Sequence, residues 1–590
     1  MVDILINDSS TPSVPEKTAS KDALHPPYSF PLITLFFFLT AILVYMVYAL
    51  RIIDYKYIDF GDGNYLYISW RLALGEILYR DVPSPQPPLH LFLGSFLLSL
   101  SQGDPILVRV WQVVQHVLIA CCVLGIALRI FRNATIASLA GAIYLFLPEG
   151  VWWSTGYQSE PLLILFQSFN LLLFLTAMSR KRPSAALYVS AVVSALGGYV
   201  NMTALPYIAL QWFFVWWSFR PFFWRYSLVL VLTGSTMFIL MFFYSHGQYI
   251  EHVFHRQVGT YPDEWTLALR YFIDKLYTEG GDILYYEGGF VFAAIAGMFL
   301  FAGDDEKPFA KDYLLWWGIF SLGSIIFVTK GGTVEYIFTL GVPAVAVFSA
   351  YFFVTLLAAS GLSFAPRVLF RNATETGKAV LLLTLFLPAL LMKPIGLLGM
   401  TWGNTSGPGG AYELDHNTMM RIANYIQFNC TEDQEILSAP AYAFTAMRKI
   451  ANNAASDLIL GAAFFNEWKK CVAEENLSLD IPTNLLYLYD NQEKKWLFDT
   501  NYYSTQAIYD LDTLFQSRPE LPQKYPMIAL FLDLRRKIMN REIPLILADI
   551  RHVFYCVPVL HQAIRDYCRP VDPQIPRNNR EEIVRFYKPK

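Results

Sequence analysis

Apolar residues along this chain gather in long unbroken runs, not in the short stripes of a soluble core. Runs long enough to cross a hydrocarbon layer of about 30 Å, or nearly so, lie at about residues 30–50, 106–128, 134–152, 160–178, 185–199, 201–218, 225–244, 289–302, 313–329, 337–358 and 379–398. The run Pro88–Leu100 is too short to cross and reads as a helix lying in or dipping into the interface. The pattern therefore predicts an α-helical polytopic membrane protein of about 11 spans plus interfacial helices. The stretch before the first run, residues 1–29, is polar and rich in Ser, Thr and Pro, and reads as a disordered tail. The first run is too long for the apolar part of a cleaved signal and reads as a retained helix.

Composition agrees with the runs. Of 590 residues, 55% are hydrophobic and 16% charged, against about 25% charged in soluble domains. A net charge of −3 gives no basic field for nucleic acid, so no nucleic-acid partner is expected.

Charge also sets the orientation. With the N-terminus and its Lys17 and Lys21 in the cytoplasm, the inner connections carry Arg129 and Arg132, then Arg180, Lys181 and Arg182, then Arg220 and Arg225, then Lys307 and Lys311, then Arg367, Arg371 and Lys378. Counting Pro88–Leu100 as a true span would invert this. An odd number of spans leaves residues 399–590 on the outer side, and 1–29 as a cytoplasmic tail. The same arrangement puts Asp59, Asp62, Asp81, Glu149, Glu160, His246, His252, His255, Arg256, Lys330 and Glu335 on the outer side or at helix ends facing it. Chemistry there is cut off from cytoplasmic nucleotides and needs an activated donor that resides in the membrane.

The first outer loop, residues 53–104, carries the densest signal. Asp59 and Asp62 follow the first run, with Gly61 and Gly63 freeing the backbone around them. An amphipathic segment follows, with Tyr65, Leu66, Ile68, Leu72, Leu74 and Ile77 on its apolar stripe. Then come Tyr79-Arg80-Asp81 and a turn bounded by Pro83, Pro85, Pro87 and Pro88. Each polar candidate also has a plain reading. Asp62 fits a helix cap, Arg80–Asp81 a solvated pair, Glu160 before Pro161 a helix-dipole complement, and Arg256 and Lys330 solvated rim charges.

In order and spacing, Asp62, Tyr65, Tyr67, Gly75, Tyr79, Arg80, Asp81, Pro87, Pro88 and Leu89 resemble the first extracytoplasmic loop of GT-C class integral membrane glycosyltransferases. The likeness is to lipid A aminoarabinose transferases and protein O-mannosyltransferases. Fainter echoes continue at Arg109, at Ser159-Glu160-Pro161-Leu162, at Glu335-Tyr336 with Pro343, and over residues 422–440. The chain departs from the pattern at Asn201-Met202-Thr203-Ala204, where relatives often have Lys-Thr-Ala, and at Glu335-Tyr336, where they often have His-Tyr.

The resemblance implies a transmembrane GT-C module over residues 30–398. Its outer loops are 53–104 and 245–288. It implies an inverting transfer of a sugar from a polyprenyl-phosphate donor to a hydroxyl on a lipid, glycan or protein, at the outer face of the plasma (inner) membrane. Asp62 is then the general base and Asp59 the alternate. Asp81 and Glu160 are second acidic positions that orient the acceptor or hold a divalent ion. Arg80, Arg256 and Lys330 bind the donor phosphate, and His255 the phosphate or sugar. Whether a metal takes part stays open. The alternatives are a lipid or solute transporter or flippase, and a polysaccharide polymerase or ligase.

Residues 399–590 open on a Gly-rich linker, Gly403 to Gly410, and mix short apolar runs with helical stretches such as Asp415–Phe428. They read as a mixed α/β extracytoplasmic domain. Cys430, Cys471, Cys556 and Cys568 fit either disulfides in an oxidising compartment or unpaired buried thiols.

Overall fold

A computed structural model describes residues 32–53, 60–179, 185–255, 265–303, 310–323, 335–359, 416–453, 457–477, 503–549, 557–572 and 584–590. The tail 1–29, the apolar run 379–398, the linker Gly403–Gly410 and Cys556 lie outside them.

Within the described residues, the apolar runs up to residue 358 fall on helices. In chain order these are α1 (Leu32–Ile53), α2 (Phe60–Ala73), α3 (Pro88–Leu100), α4 (Ile106–Phe131), α5 (Ala134–Phe146), α6 (Pro148–Trp153), α7 (Ser159–Met178), α8 (Ala185–Gly198), α9 (Leu205–Ser218), α10 (Phe223–Tyr244), α11 (Trp265–Gly303), α12 (Lys311–Leu322) and α13 (Val342–Ala359). Among the described residues, five stretches are long and apolar enough to cross a membrane: Leu32–Arg51, Ile106–Phe131, Ser159–Met178, Arg220–Tyr244 and Phe338–Ala358. Burial sorts them. Phe338–Ala358 is 89% buried and forms the centre of the bundle, whereas Arg220–Tyr244 is 11% buried and faces outward.

Two expectations change. The run 134–152 is not one helix but two. Pro148 drives Leu147 into an extended conformation (φ −61°, ψ 126°), which ends α5, and then opens α6 at a position where its missing N–H does no harm. In the segment 245–288, most of the described residues are helical and not a loop. After a π-turn at Ile250–His255, the chain enters α11, a 39-residue helix about 58 Å long that runs on into the apolar run 289–302. Ahead of that run it carries Arg270, Asp274, Lys275, Glu279, Asp282 and Glu287, so hydropathy alone truncates it.

The 13 residues of α3 rise only about 20 Å, too little to span. Pro88 starts this helix, and the Leu89 N–H is tied to the Tyr199 carbonyl at 3.0 Å.

A closed polar network sits inside the bundle. Asn170 on α7 donates to Gln211 Oε1 on α9 at 2.5 Å, and Gln211 Nε2 donates to Ser190 on α8 at 3.1 Å. Ser194 also reaches Gln211 at 3.4 Å. Buried amides and hydroxyls that satisfy one another fix helix registry.

The described part of 399–590 contains helices and two small sheets. Strands β1 (Glu435–Ile436) and β2 (Lys449–Ile450) pair in parallel. Strands β3 (Ile546–Asp549), β4 (Cys568–Val571) and β5 (Val584–Pro589) form an antiparallel sheet in the order β3–β5–β4. The two sheets meet where the Leu437 N–H donates to the Leu545 carbonyl (3.1 Å) and the Leu547 N–H to the Leu437 carbonyl (2.8 Å). Cys430, Cys471 and Cys568 are buried free thiols. Burial pushes Cys471 and Cys568 each up to about 11, which makes them inert at neutral pH.

Two hydrophobic cores result. One lies within the bundle. The other joins α2 and α3 to the C-terminal region, from Tyr65 and Tyr67 through Ala441 and Phe444 to Phe531 and Phe586.

Candidate active site

Asp62 stands in the first turn of α2 and is 1% exposed. Its Oδ2 accepts from Arg109 Nη2 at 2.8 Å, and its Oδ1 accepts from the backbone N–H of Tyr157 at 2.6 Å. Arg109 starts the second turn of α4 and also donates from Nη1 to the Ile53 carbonyl at 3.1 Å. One carboxylate and one guanidinium thus join the end of α1, the start of α2, the start of α4 and the segment between α6 and α7. A carboxylate accepts about four hydrogen bonds, and these two fix its direction.

The wall beside Asp62 is aromatic. His90 of α3 stacks on Tyr157 with ring centroids 4.1 Å apart, and Tyr65 meets His90 edge-on at 4.9 Å. Tyr157 donates its hydroxyl to the His90 carbonyl, and Ser69 donates to the Leu91 carbonyl at 3.1 Å. His90 is 1% exposed, and neither ring nitrogen has a hydrogen-bond partner among the described residues. Burial pushes its pKa down to about 3, so the ring is neutral. Deeper along α4, Gln112 donates to the Gln158 carbonyl at 3.4 Å, and His116 lies between the rings of Tyr45 (4.8 Å) and Tyr144 (4.6 Å).

Glu160 lies three residues beyond Tyr157 in the same segment. Asn201 donates to Glu160 Oε1 at 3.0 Å and to Ser159 at 3.1 Å, while its carbonyl oxygen caps the turn Met202–Ala204. Asn201, in the stretch where the chain departs from the Lys-Thr-Ala pattern, thus holds Glu160.

Arg80 and Asp81 form a two-bonded pair, Nε to Oδ1 and Nη2 to Oδ2, each 2.8 Å. Asp81 Oδ2 also accepts the Ile77 N–H at 2.9 Å. The Arg80 hydrogen bond, helped by the Ile77 N–H and nearby positive charge, holds the Asp81 carboxyl below its ordinary value. Tyr79 just before it adopts a left-handed backbone (φ 70°), pinned by its hydroxyl donating to the Gln86 carbonyl at 2.7 Å. Its ring lies 5.2 Å from Tyr249 and 6.2 Å from His252, so the Tyr-Arg-Asp turn docks on the segment after α10.

The structure therefore brings Asp62 together with Arg109, Tyr157 and the segment that carries Glu160. It does not gather Asp62, Asp81 and Glu160 into one metal-holding group: among the described residues, no three His, Cys, Asp or Glu side chains are so placed. Asp59, Arg256 and Lys330 lie outside the described residues, as does the side chain of His255. Gly61 and Gly63 are helical, so they do not supply turn freedom. Gly63 instead allows a close approach to Ala441. Sequence reasoning missed Tyr157 and His90. It also missed the polar side of α4 beyond Arg109, whose signal was visible in Gln112 and His116 three and seven residues on within an apolar run.

The fold has solved counterparts. ArnT from Cupriavidus metallidurans bound to undecaprenyl phosphate superposes with a TM-score of 0.50 at 14% identity, covering 75% of this chain and 91% of ArnT. The Archaeoglobus fulgidus oligosaccharyltransferase in its apo form gives 0.52 at 12% identity, covering 90% of this chain and 73% of that one. The archaeal oligosaccharyltransferase AglB from Archaeoglobus fulgidus, in complex with an inhibitory peptide and a dolichol-phosphate, gives 0.50 at 12% identity, covering 91% and 73%. No protein-family model matches the sequence, and no curated protein matches it at the sequence level. The resemblance to GT-C glycosyltransferases drawn from residues 53–104 holds at the level of the fold.

Proposed function

We propose that this chain is an inverting glycosyltransferase that moves a sugar from a polyprenyl-phosphate donor to a hydroxyl acceptor at the extracytoplasmic boundary of the plasma membrane. One observation carries this reading: on a GT-C fold, the acidic residue that follows the first span is held in a fixed direction by Arg109 and the Tyr157 N–H. The lipid phosphates in the ArnT and AglB structures support the donor class.

In this reading Asp62 takes the acceptor proton as the hydroxyl oxygen attacks the anomeric carbon. The bond from that carbon to the phosphate oxygen breaks, and the polyprenyl phosphate leaves with the bonding pair. The acceptor hydroxyl must then come within about 2.6–3.2 Å of the carboxylate. Arg80, Arg256, Lys330 and His255 are the proposed partners of the phosphate and sugar, with Asp59 the alternate base. Asp81 and Glu160 orient the acceptor. Residues 399–590 lie on the same outer side as the reaction, and the acceptor is a lipid, glycan or protein hydroxyl.

The test is transfer from a panel of undecaprenyl-phosphate sugars by the purified full chain, wild type against Asp62→Asn. General-base loss predicts a fall of about 100- to 10,000-fold, with undecaprenyl phosphate still bound. An Asp62→Asn variant that folds and transfers at the wild-type rate removes Asp62 from the chemistry. A wild type that transfers from no donor removes the enzyme reading, and transport of the same lipids across vesicles becomes the alternative to measure.

A further inference from the structure

Helix α2 has two working faces. Asp62, Tyr65 and Ser69, at i, i+3 and i+7, point toward Arg109, His90, Tyr157 and α3. Gly63, Tyr67, Trp70 and Arg71, at i, i+4, i+7 and i+8, point the other way, into the C-terminal region. There Gly63 abuts the short helix Pro440–Thr445: a methyl group at position 63 would lie 2.6 Å from the Ala441 Cα and 2.9 Å from its backbone nitrogen. One turn on, the buried Tyr67 hydroxyl accepts the Ile450 N–H at 2.8 Å and Arg71 Nη1 at 3.0 Å. Burial pushes the Tyr67 phenol up to about 12, so it stays a neutral acceptor and donor. Trp70 meets Phe444 edge-on at 6.5 Å. Arg71 pairs with Glu76, which also lies 3.8 Å from Lys449. Asn453 donates to the Asp81 carbonyl at 2.6 Å, extending the contact to the Tyr-Arg-Asp turn.

We propose that the C-terminal region positions the Asp62 carboxylate from behind, through the Gly63–Ala441 contact and the Tyr67–Ile450 clamp. This rests on the reading of Asp62 as the base. Gly63 is bonded directly to Asp62, and of the three Ala441 atoms that block a larger residue two belong to the backbone and the third is the Cβ, which no rotamer moves. A side chain at 63 therefore cannot be relieved by a rotamer change and must displace α2. Because Asp62 is held at 2.6 and 2.8 Å on its far side, a shift of α2 tilts the carboxylate against those partners. A displacement of about 1 Å at a reacting group costs on the order of 100-fold in rate.

The experiment uses the full chain in nanodiscs and compares wild type, Gly63→Ala, Tyr67→Phe and Leu560→Ala. Leu560 is fully buried in the same core, on the helix Pro558–Tyr567, and serves as the control for general destabilisation. Two readouts are taken: transfer from the undecaprenyl-phosphate sugar used by the wild type, and amide hydrogen exchange over residues 60–73. Gly63→Ala is expected to lower kcat about 10- to 100-fold, and Tyr67→Phe on the order of tenfold. Donor KM stays within about twofold of wild type in both. Exchange in 60–73 rises in both variants, and Leu560→Ala changes neither kcat nor that exchange. Unchanged kcat in a folded Gly63→Ala chain overturns the proposal, as does an equal loss of kcat in Leu560→Ala. Unchanged exchange over 60–73 overturns the mechanical link itself, even if the wild type proves inactive on every donor. Inactivity of the wild type with raised exchange in Gly63→Ala instead removes the catalytic reading of Asp62, and with it any effect on a rate.

Discussion

Two Asp–Arg pairs hold the stretch that follows α1, with the same contact distance and opposite surroundings. Arg109 and Asp62 meet at 2.8 Å across 47 residues of sequence, with side chains 6% and 2% exposed. Arg80 and Asp81 are chain neighbours that also meet at 2.8 Å, with side chains 43% and 32% exposed. In water the exposed pair gains little, and Arg80 can trade Asp81 for another anion at small cost. The buried pair cannot trade, because either charge left alone in an apolar setting is strongly unfavourable. The difference separates two tasks. A phosphate clamp needs an arginine that can let go of its partner, whereas a base needs a carboxylate whose direction does not drift.

Arg109→Met should be the most damaging substitution after loss of Asp62 itself. It leaves the carboxylate buried without its cation, costs about 3–5 kcal/mol of stability, and lowers transfer in whatever folds. Thermal unfolding alongside the transfer assay checks both, and a double-mutant cycle with Asp62→Asn should show strong coupling. If the two substitutions add independently, the pair is not a unit.

Asn201→Ala should act next. It frees Glu160 and Ser159 from their shared donor and uncaps the turn Met202–Ala204, a loss of about 0.5–2 kcal/mol. If Glu160 orients the acceptor, acceptor KM rises while donor KM does not.

Arg80→Gln should be the gentlest to the fold. Unfolding is expected to move by less than about 1 kcal/mol, while donor KM rises because a phosphate partner is lost. No change in donor KM would assign Arg80 to the solvated surface. The Asp81 carboxyl is held below its ordinary value, so its contribution to stability is present above the unfolded pKa. That contribution disappears only as pH falls through the lower folded value. Unfolding profiles of wild type and Asp81→Asn should therefore run parallel from pH 8 to about pH 5 and converge only below about pH 4.

Much of this arrangement was legible in the chain. The apolar runs located the helices because a helix in a bilayer must be apolar over its crossing length. Asp62, Tyr65 and the Pro87-Pro88 helix start were readable because the loop packs its motif residues in sequence order. Hydropathy failed where physics other than burial decides. It joined α5 to α6 across Pro148, where one missing N–H and one ring clash end a helix. It also cut α11 short, because charged residues lower hydropathy without breaking a helix. The partners of Asp62 were hidden for a different reason. Arg109 and Tyr157 are 47 and 95 residues away, and Tyr157 contributes a backbone N–H that no side-chain pattern encodes. The fit of Gly63 against Ala441 was equally hidden, since a glycine in a loop motif suggests a turn until the helix is seen.

The central claim is that the Asp62 carboxylate works beside a lipid-borne phosphate. The most direct measurement is a structure of the full chain in nanodiscs with undecaprenyl phosphate added. Phosphate density is expected at the junction of α2 and the Tyr157–Glu160 segment, with Asp62 at its edge and still held by Arg109. Phosphate bound elsewhere in the bundle, with the surroundings of Asp62 unchanged, would contradict it.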